Sequence, residues 1–277
     1  MRCDTCETGV IGTIGRTLVV LSFSAGLVLG ALPIAQAQSA AAPPVEQIVA
    51  ATDRVRNPSR PFRVTVRLTE YVAGRERNHD MIVVFAKENA DTRQYRNLIQ
   101  YVEPARDAGK KVLLDGQSLW FFDPASNLSI RISAQQRLIG QAAIGDVLTV
   151  NLGADYAPSL LGVEQIQDSA GKARDCWHLD LKAVNDQAVY NRVEYWVEQG
   201  SSYPIKGKFY SDSGRLLKIL YYRGFSEQLG GVRPTEAVII DAIDTTLVTT
   251  ASFSDYRYQD IPDAWFQRDY LPRLRLQ

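Results

Sequence analysis

Imidazole and thiol are scarce in this 277-residue chain: two histidines, His79 and His178, and three cysteines, Cys3, Cys6 and Cys176. Cys176 and His178 are two positions apart, so on a strand they share a face and could form a thiol–imidazole pair. The favoured reading is a buried strand cysteine. Cys3 and Cys6 form C-x-x-C inside an N-terminal segment expected to be removed, so neither a redox nor a zinc role is drawn from them. Cys176 is then alone, and the core rather than a disulfide must hold the domain. His79 lies in a charged turn, and two histidines cannot build the usual histidine-rich metal site. Two carboxylate pairs stand out, Asp241 with Asp244 and Glu194 with Glu198. Such pairs are mostly turns or solvated faces, although spacing alone leaves a two-carboxylate glycosidase open. There is no G-x-S-x-G, H-E-x-x-H, Walker loop, G-x-G-x-x-G or EF-hand loop. The expectation is a protein without catalytic groups, metal or cofactor. An envelope hydrolase using carboxylates is the alternative.

The N-terminus sets the expected compartment. Arg2 and Arg16 precede an apolar run from Leu18 to Leu32, and Ala35-Gln36-Ala37 follows. This pattern predicts a secretory signal peptide over residues 1–37, cut after Ala37, and hence a periplasmic protein. The run is broken by Ser22, Ser24 and Gly26 and is shorter than the ~20 residues of a spanning helix. No cysteine sits at the cleavage point to take a lipid. Cleavage leaves about 240 residues, read as a flexible lead over 38–44 and a single domain over 45–277. Thirty-one basic residues balance thirty-one acidic ones. That balance gives no electrostatic reason to expect nucleic acid or an acidic membrane as partner.

The remaining elements are read from hydrophobic period. Val45, Ile48, Val49, Thr52 and Val55 fall at helical spacing, and Asn57-Pro58 stops the helix. The period then becomes two. Phe62, Val64, Val66 and Leu68 share one strand face, with Arg63, Thr65 and Arg67 on the other. Around residue 178, Trp177, Leu179 and Leu181 alternate with Cys176, His178, Asp180 and Lys182. In "NRVEYWVE", Val193, Tyr195 and Val197 oppose Glu194, Trp196 and Glu198. Asp115-Gly116 and Ser211-Asp212-Ser213-Gly214 are hairpin turns. About ten or eleven strands result. The stretch "VAGRERNHD" is read as a polar turn, and Pro262-Asp263 as the start of a C-terminal helix ended by Pro272. Regular spacing with turn signals predicts a mainly β fold with short helices, a curved antiparallel meander.

"SLWFF", residues 118–122, and "MIVVFAK", residues 81–87, are apolar on both faces. A strand needs that only where both sides of the sheet are covered, so helices are expected over one side and a cavity or core on the other. Residues 134–160 are too apolar for a solvated loop. They are expected to form short helices and loops lying on an apolar surface.

Several features taken in order resemble one family, the LolA-like periplasmic outer-membrane lipoprotein-sorting proteins. They are Glu103-Pro104, Gly109, Leu114, the run Leu119-Trp120-Phe121-Phe122-Asp123-Pro124 and Arg131. Tyr203-Pro204, Tyr210, Gly214, Leu216, Gly231, Pro234, Ile261-Pro262 and Phe266 continue the match over nearly the whole mature chain. The resemblance implies an unclosed β-barrel with a helical lid, holding acyl chains of a lipid or lipoprotein and ferrying them between inner and outer membrane. It also implies an inner-membrane lipid-exporting permease as a partner. On this reading the cavity wall is Phe62, Val64, Val66 and Leu68, with Trp177, Leu179 and Leu181, then Val193, Tyr195 and Val197, and Phe253. Leu138, Ile139, Ile144 and Leu148 belong to the lid. A small outer-membrane β-barrel is a further alternative, but Arg63, Arg67, Glu194 and Glu198 sit poorly on a lipid-facing surface.

Overall fold

The computed structural model describes residues 42–115, 118–185 and 188–274. The expected signal peptide, most of the lead and the C-x-x-C pair lie outside the described residues.

Helix α1 (Val45–Arg56) starts after Pro44, carries Glu46 in its first turn and ends with Arg54 and Arg56, a charge order that suits the helix dipole. Asn57-Pro58 stops it, because a residue before proline avoids the helical region. Its last carbonyls are capped from a distance: the Arg233 guanidinium donates to the carbonyls of Arg54 and Val55 at 3.1 and 2.9 Å.

Fifteen strands follow among the described residues. Six come first: β1 (Phe62–Val72), β2 (Arg75–Glu88), β3 (Tyr95–Glu103), β4 (Lys111–Asp115), β5 (Ser118–Asp123) and β6 (Leu128–Ile132). A small hairpin, β7 (Arg137–Ile139) and β8 (Ala142–Ala143), leads into helices α2 (Ile144–Val147) and α3 (Leu152–Asp155). The chain returns through β9 (Tyr156–Gln167), β10 (Ala173–Ala183), β11 (Arg192–Glu198), β12 (Pro204–Tyr210), β13 (Leu216–Gln228), β14 (Gly231–Asp241) and β15 (Leu247–Tyr258). Thirteen of these form one sheet in the order β6-β5-β4-β3-β2-β1-β15-β14-β13-β12-β11-β10-β9. The first and last strands meet in the middle, antiparallel, from Phe62 opposite Tyr258 to Val72 opposite Leu247, with one register shift between Arg63 and Thr65. The two edges, β6 and β9, do not pair with each other. The sheet is therefore a curved meander that stops short of a barrel, and a closed membrane barrel is ruled out by those two free edges.

The paired faces explain the doubly apolar strands. Val112, Leu119 and Phe121 point to the concave side, while Leu98, Leu113, Trp120 and Phe122 point to the convex side. There they meet a C-terminal segment in which Ile261, Phe266, Leu271 and Leu274 are buried. Trp265 stands edge-on to Phe85 with ring centroids 5.6 Å apart. Lys87 and Arg96 hold Asp263 at 2.8 and 2.7 Å, which pins the segment to the sheet. On β6, Leu128 and Ile130 point to the concave side, opposite Asp123 and Phe121, and stay exposed at the sheet's edge.

Several expectations are corrected. The doubly apolar strands, which the sequence suggests as the centre of the sheet, are β2 to β5 and reach almost to one edge. The C-terminal helix is two short 3-10 turns, Asp263–Phe266 and Arg268–Tyr270. "VAGRERNHD" is a tight turn at Ala73-Gly74 and then strand, because both residues adopt positive φ and turn the chain in two steps. The segment over the concave face ends at Asp155, since residues 156–160 already belong to β9. That edge strand was hidden by Pro158, tolerated only where no ladder partner is needed, and by a bulge at Gly162.

Candidate functional site

The concave face is built by strand parity. Phe62, Val64, Val66 and Leu68 on β1 are all buried there, and Phe253 on β15 sits opposite Val66. On the other half, Leu181 faces Val193, Leu179 faces Tyr195 and Trp177 faces Val197 across β10 and β11. Phe209 and Tyr222 touch both apolar clusters and join the two halves into one surface. All eleven residues expected from the sequence therefore share a face.

That face is covered by two different elements. Ile48 and Val49 of α1 lie on the β10–β11 half. Residues 133–155, from the end of β6 through α3, cover the rest: Ile139, Ala142, Ile144, Val147 and Leu148 are buried on the β1 half and Leu138 partly so, while Leu152 of α3 joins the β10–β11 half. The covering segment carries its own polar ties to the sheet. The Gln141 amide donates to Thr249 Oγ1 at 2.8 Å. The Asn97 side chain, fully buried, both accepts from the Thr149 amide and donates to its carbonyl, each at 2.9 Å. Lys218 on β13 forms a buried ion pair with Asp146 on α2. Tyr190 donates to the same carboxylate at 2.6 Å, and the Ala143 amide does so at 2.7 Å. Gly145 packs so closely on Val189 that a Cβ there would lie 2.2 Å from a valine methyl.

Two adjoining spaces remain. One, of about 210 Å³, opens beside the β6 edge and is bordered by Leu114, Leu119, Ile132, Leu148 and Val189, with Arg131 at its rim. The other, of about 50 Å³, lies inside, between α1, the covering segment and β11–β13. They share Leu148, Val150, Asp155 and Val189 as a common wall. Of the expected cavity residues, Val193 and Tyr195 border the inner space, and Leu148 of the expected lid borders both. Trp177 borders a wider space beside α1, of about 510 Å³, and the rest are packed under α1 or the covering segment. The two spaces that share Leu148 are smaller than the ~300 Å³ at which ligand pockets begin, so the covering segment is closed over this part of the surface.

The charged side chains of this region were missed in the sequence reading. They are Arg56, Asp146, Asp155 and Lys218, with Tyr190 and Tyr222 beside them. A signal existed: Lys218 shares strand parity with Leu220 and Tyr222, and Asp146 interrupts an apolar run. A lone lysine and a lone aspartate at inward positions call for each other. Burial pushes the Asp155 carboxyl up to about 6, against the opposing hydrogen bonds of Asn185 and Gln94. Burial and then the neighbouring Asp146 hold the Tyr190 phenol well above its ordinary range.

Cys176, His178, Glu194 and Glu198 are on the other side of the sheet. Burial, and then Glu198, push the Cys176 thiol up to about 12, which removes its nucleophilicity at neutral pH. His178 is stacked on Trp196 with ring centroids 4.2 Å apart, its Nδ1 3.3 Å from Glu164. Glu198, expected to face water, accepts from Arg174 at 2.8 Å and Ser201 at 2.6 Å. Asp241 accepts from the amides of Ile243 and Asp244 and shapes a turn. Among the described residues, no group of His, Cys, Asp or Glu side chains is gathered to hold a metal ion. No described helix is long and apolar enough to cross a membrane.

A family described as "Uncharacterized protein" matches residues 93–273. No curated protein matches the chain. Among solved structures, the chain is similar to a LolA superfamily protein from Nitrosomonas europaea, at 34% identity and a TM-score of 0.73, over 83% of this chain and 100% of that one. The fold is also similar to a putative outer membrane lipoprotein-sorting protein domain from Vibrio parahaemolyticus, at 18% identity and a TM-score of 0.68, over 82% and 98% of the two chains. A DUF1329 family protein from Desulfovibrio piger gives 20% identity and 0.69 over 83% and 100%.

Proposed function

The chain belongs to the LolA superfamily, and from that membership we propose that it is a periplasmic carrier which shelters acyl chains of a lipid or lipoprotein against its concave face. The observation that carries this reading is the continuous apolar wall under a removable cover. Residues 133–155 hold their place mainly by side-chain ties and apolar contact, and their hairpin β7–β8 is a two-stranded sheet of its own that adds no strand to the main one. When the segment lifts, an acyl chain can take over the contacts of Ile139, Ile144 and Leu148 with Val66, Leu68 and Ile239. Each methylene it buries gains about 0.8 kcal/mol. The exchange is thus apolar for apolar, and its net cost is mainly the broken polar ties and the ordering of the chain. A lipid-exporting permease of the inner membrane is the partner that would load such a carrier.

The test is direct. Protein purified from the periplasm without detergent should carry lipid by mass spectrometry. The delipidated protein should bind a fluorescent fatty acid saturably and equally well in the presence of a chelator. An empty protein that leaves the probe signal unchanged removes the carrier reading.

A further inference from the structure

The inner space has a wall that an alkyl tail does not need. Leu148, Val150, Val189 and Leu220 suit methylenes, but Arg56 and the rings of Tyr195 and Tyr222 border the same space. Tyr195 is 1% exposed, and its hydroxyl has no partner in good hydrogen-bonding geometry among the described residues, although the Tyr222 hydroxyl lies near enough to help hold its phenol up after burial. The Tyr222 ring stands edge-on to it, 6.1 Å between centroids. A buried hydroxyl without a partner is costly and asks for an explanation. Its place decides what that explanation can be: β11 presents Tyr195 at the inner space, whose wall of Leu148, Val150, Asp155 and Val189 is shared with the open one.

The charges around it narrow the ligand. Arg56 is 3.2 Å from Asp53 and is matched by it. Lys218 is matched by Asp146. The Asp155 carboxyl, held by Gln94, is then the excess charge at the inner space. The surroundings repel a carboxylate or phosphate and still offer a hydrogen-bond donor to an uncharged oxygen.

We propose that the cavity takes lipids carrying a neutral oxygen, an alcohol or an ester carbonyl, on the part that penetrates deepest, with the Tyr195 hydroxyl as its hydrogen-bonding partner. This rests on the carrier reading and adds the class of cargo: a lipid oxygenated at its buried end rather than a plain alkyl tail. In the closed arrangement about 50 Å³ is reserved for that group, and the cover must shift to admit the rest of the chain.

Displacement of the neutral dye Nile red from the delipidated mature protein tests it. Dodecanol, methyl dodecanoate, dodecanoate and chlorododecane share a chain length and differ at one end. Each is compared with its own partition from water into an alkane, where no hydrogen bond is available. The alcohol and the ester should bind about tenfold better than partition predicts, the effect of one good hydrogen bond. Chlorododecane should follow partition, and dodecanoate should bind worse than its methyl ester. Tyr195→Phe should remove the excess for alcohol and ester, leave chlorododecane unchanged, and keep or raise the melting temperature, since the lost hydroxyl had no partner. Binding that follows partition for every compound overturns the inference and leaves the carrier reading standing. So does an excess that survives in Tyr195→Phe, or a Tyr195→Phe protein that melts earlier than wild type. No displacement by any of the four overturns both.

Discussion

Val197 is fully buried and borders neither space. The sequence places it correctly on the concave face but cannot distinguish a filled core from a wet wall, because strand parity reports which side and not what lies there. The structure puts it under α1. Val197→Glu should therefore cost about 3 kcal/mol or more, read as a large fall in the denaturant midpoint, since the new carboxylate has no partner or water. A variant that folds with near-wild-type stability would mean that α1 lifts readily. Asp155 acts in the opposite sense. Its carboxyl is raised from 3.8 to about 6, chiefly by burial. The fold thus favours the protonated form. This contribution is complete below about pH 3.8 and is lost as pH rises through about 6. Asp155→Asn keeps an oxygen for Gln94 and removes the titration. At pH 7 it should be about 1 to 2 kcal/mol more stable than wild type, and the difference should vanish near pH 4. A constant difference at all pH values would refute the titration as the cause.

The covering segment is the element whose character was hardest to read. Its apolar run "GQAAIGDVLTV" signals burial, and this is why it was placed on an apolar surface from sequence alone. Its hairpin, its helices of one turn each and its exit into β9 carry no periodic signal, because each is too short for one. Strands β1, β10 and β11 were legible for the opposite reason: apolar residues alternate with mostly polar ones over seven or more positions. What holds the segment down lies in pairs distant in sequence, such as Asp146 with Lys218, and no local pattern reveals those. Lys218→Met leaves Asp146 buried without its cation, a change that typically costs about 3 to 5 kcal/mol in such pairs. That cost should fall on closure of the segment before it falls on the whole fold. Amide exchange over 133–155 should accelerate strongly, with a smaller loss of melting temperature. The double variant Asp146→Asn with Lys218→Met should restore much of the slow exchange, because a neutral amide oxygen can still accept from Tyr190 or the Ala143 amide and no longer needs a cation. If the single variant exchanges like wild type, the apolar contacts alone hold the segment. In the wild-type protein, exchange over the same residues should also differ between the lipid-free and lipid-loaded states.

At the scale of the whole molecule, the sheet divides two tasks between its faces. The convex cluster of Phe85, Leu98, Leu113, Phe122 and Phe266 is tied down by Lys87, Arg96 and Asp263 and has no open space of its own among those described above. The concave cluster ends at a mouth and contains a segment that can be replaced by ligand. The β1–β15 seam lies at the middle of the thirteen-strand order, so the weak line of the molecule is the gap between β6 and β9, not the place where the chain begins and ends its sheet. Opening at that gap can occur without disturbing the convex cluster, since the C-terminal segment spans only β2 to β5. Two truncations separate the faces. Phe266→Ala removes an aromatic ring that is 1% exposed from the convex cluster and should cost about 3 to 5 kcal/mol of global stability. At a temperature where it is still folded, its lipid affinity and its exchange over 133–155 should match wild type. Ile144→Ala removes a methyl-rich side chain from the covering segment. It should speed exchange there and raise lipid affinity, because the competitor for the wall is weakened, while the global midpoint falls far less than in Phe266→Ala. If Phe266→Ala loosens the covering segment as much as Ile144→Ala does, the two faces are one cooperative unit. Cargo release would then require unfolding more of the sheet than its open edge.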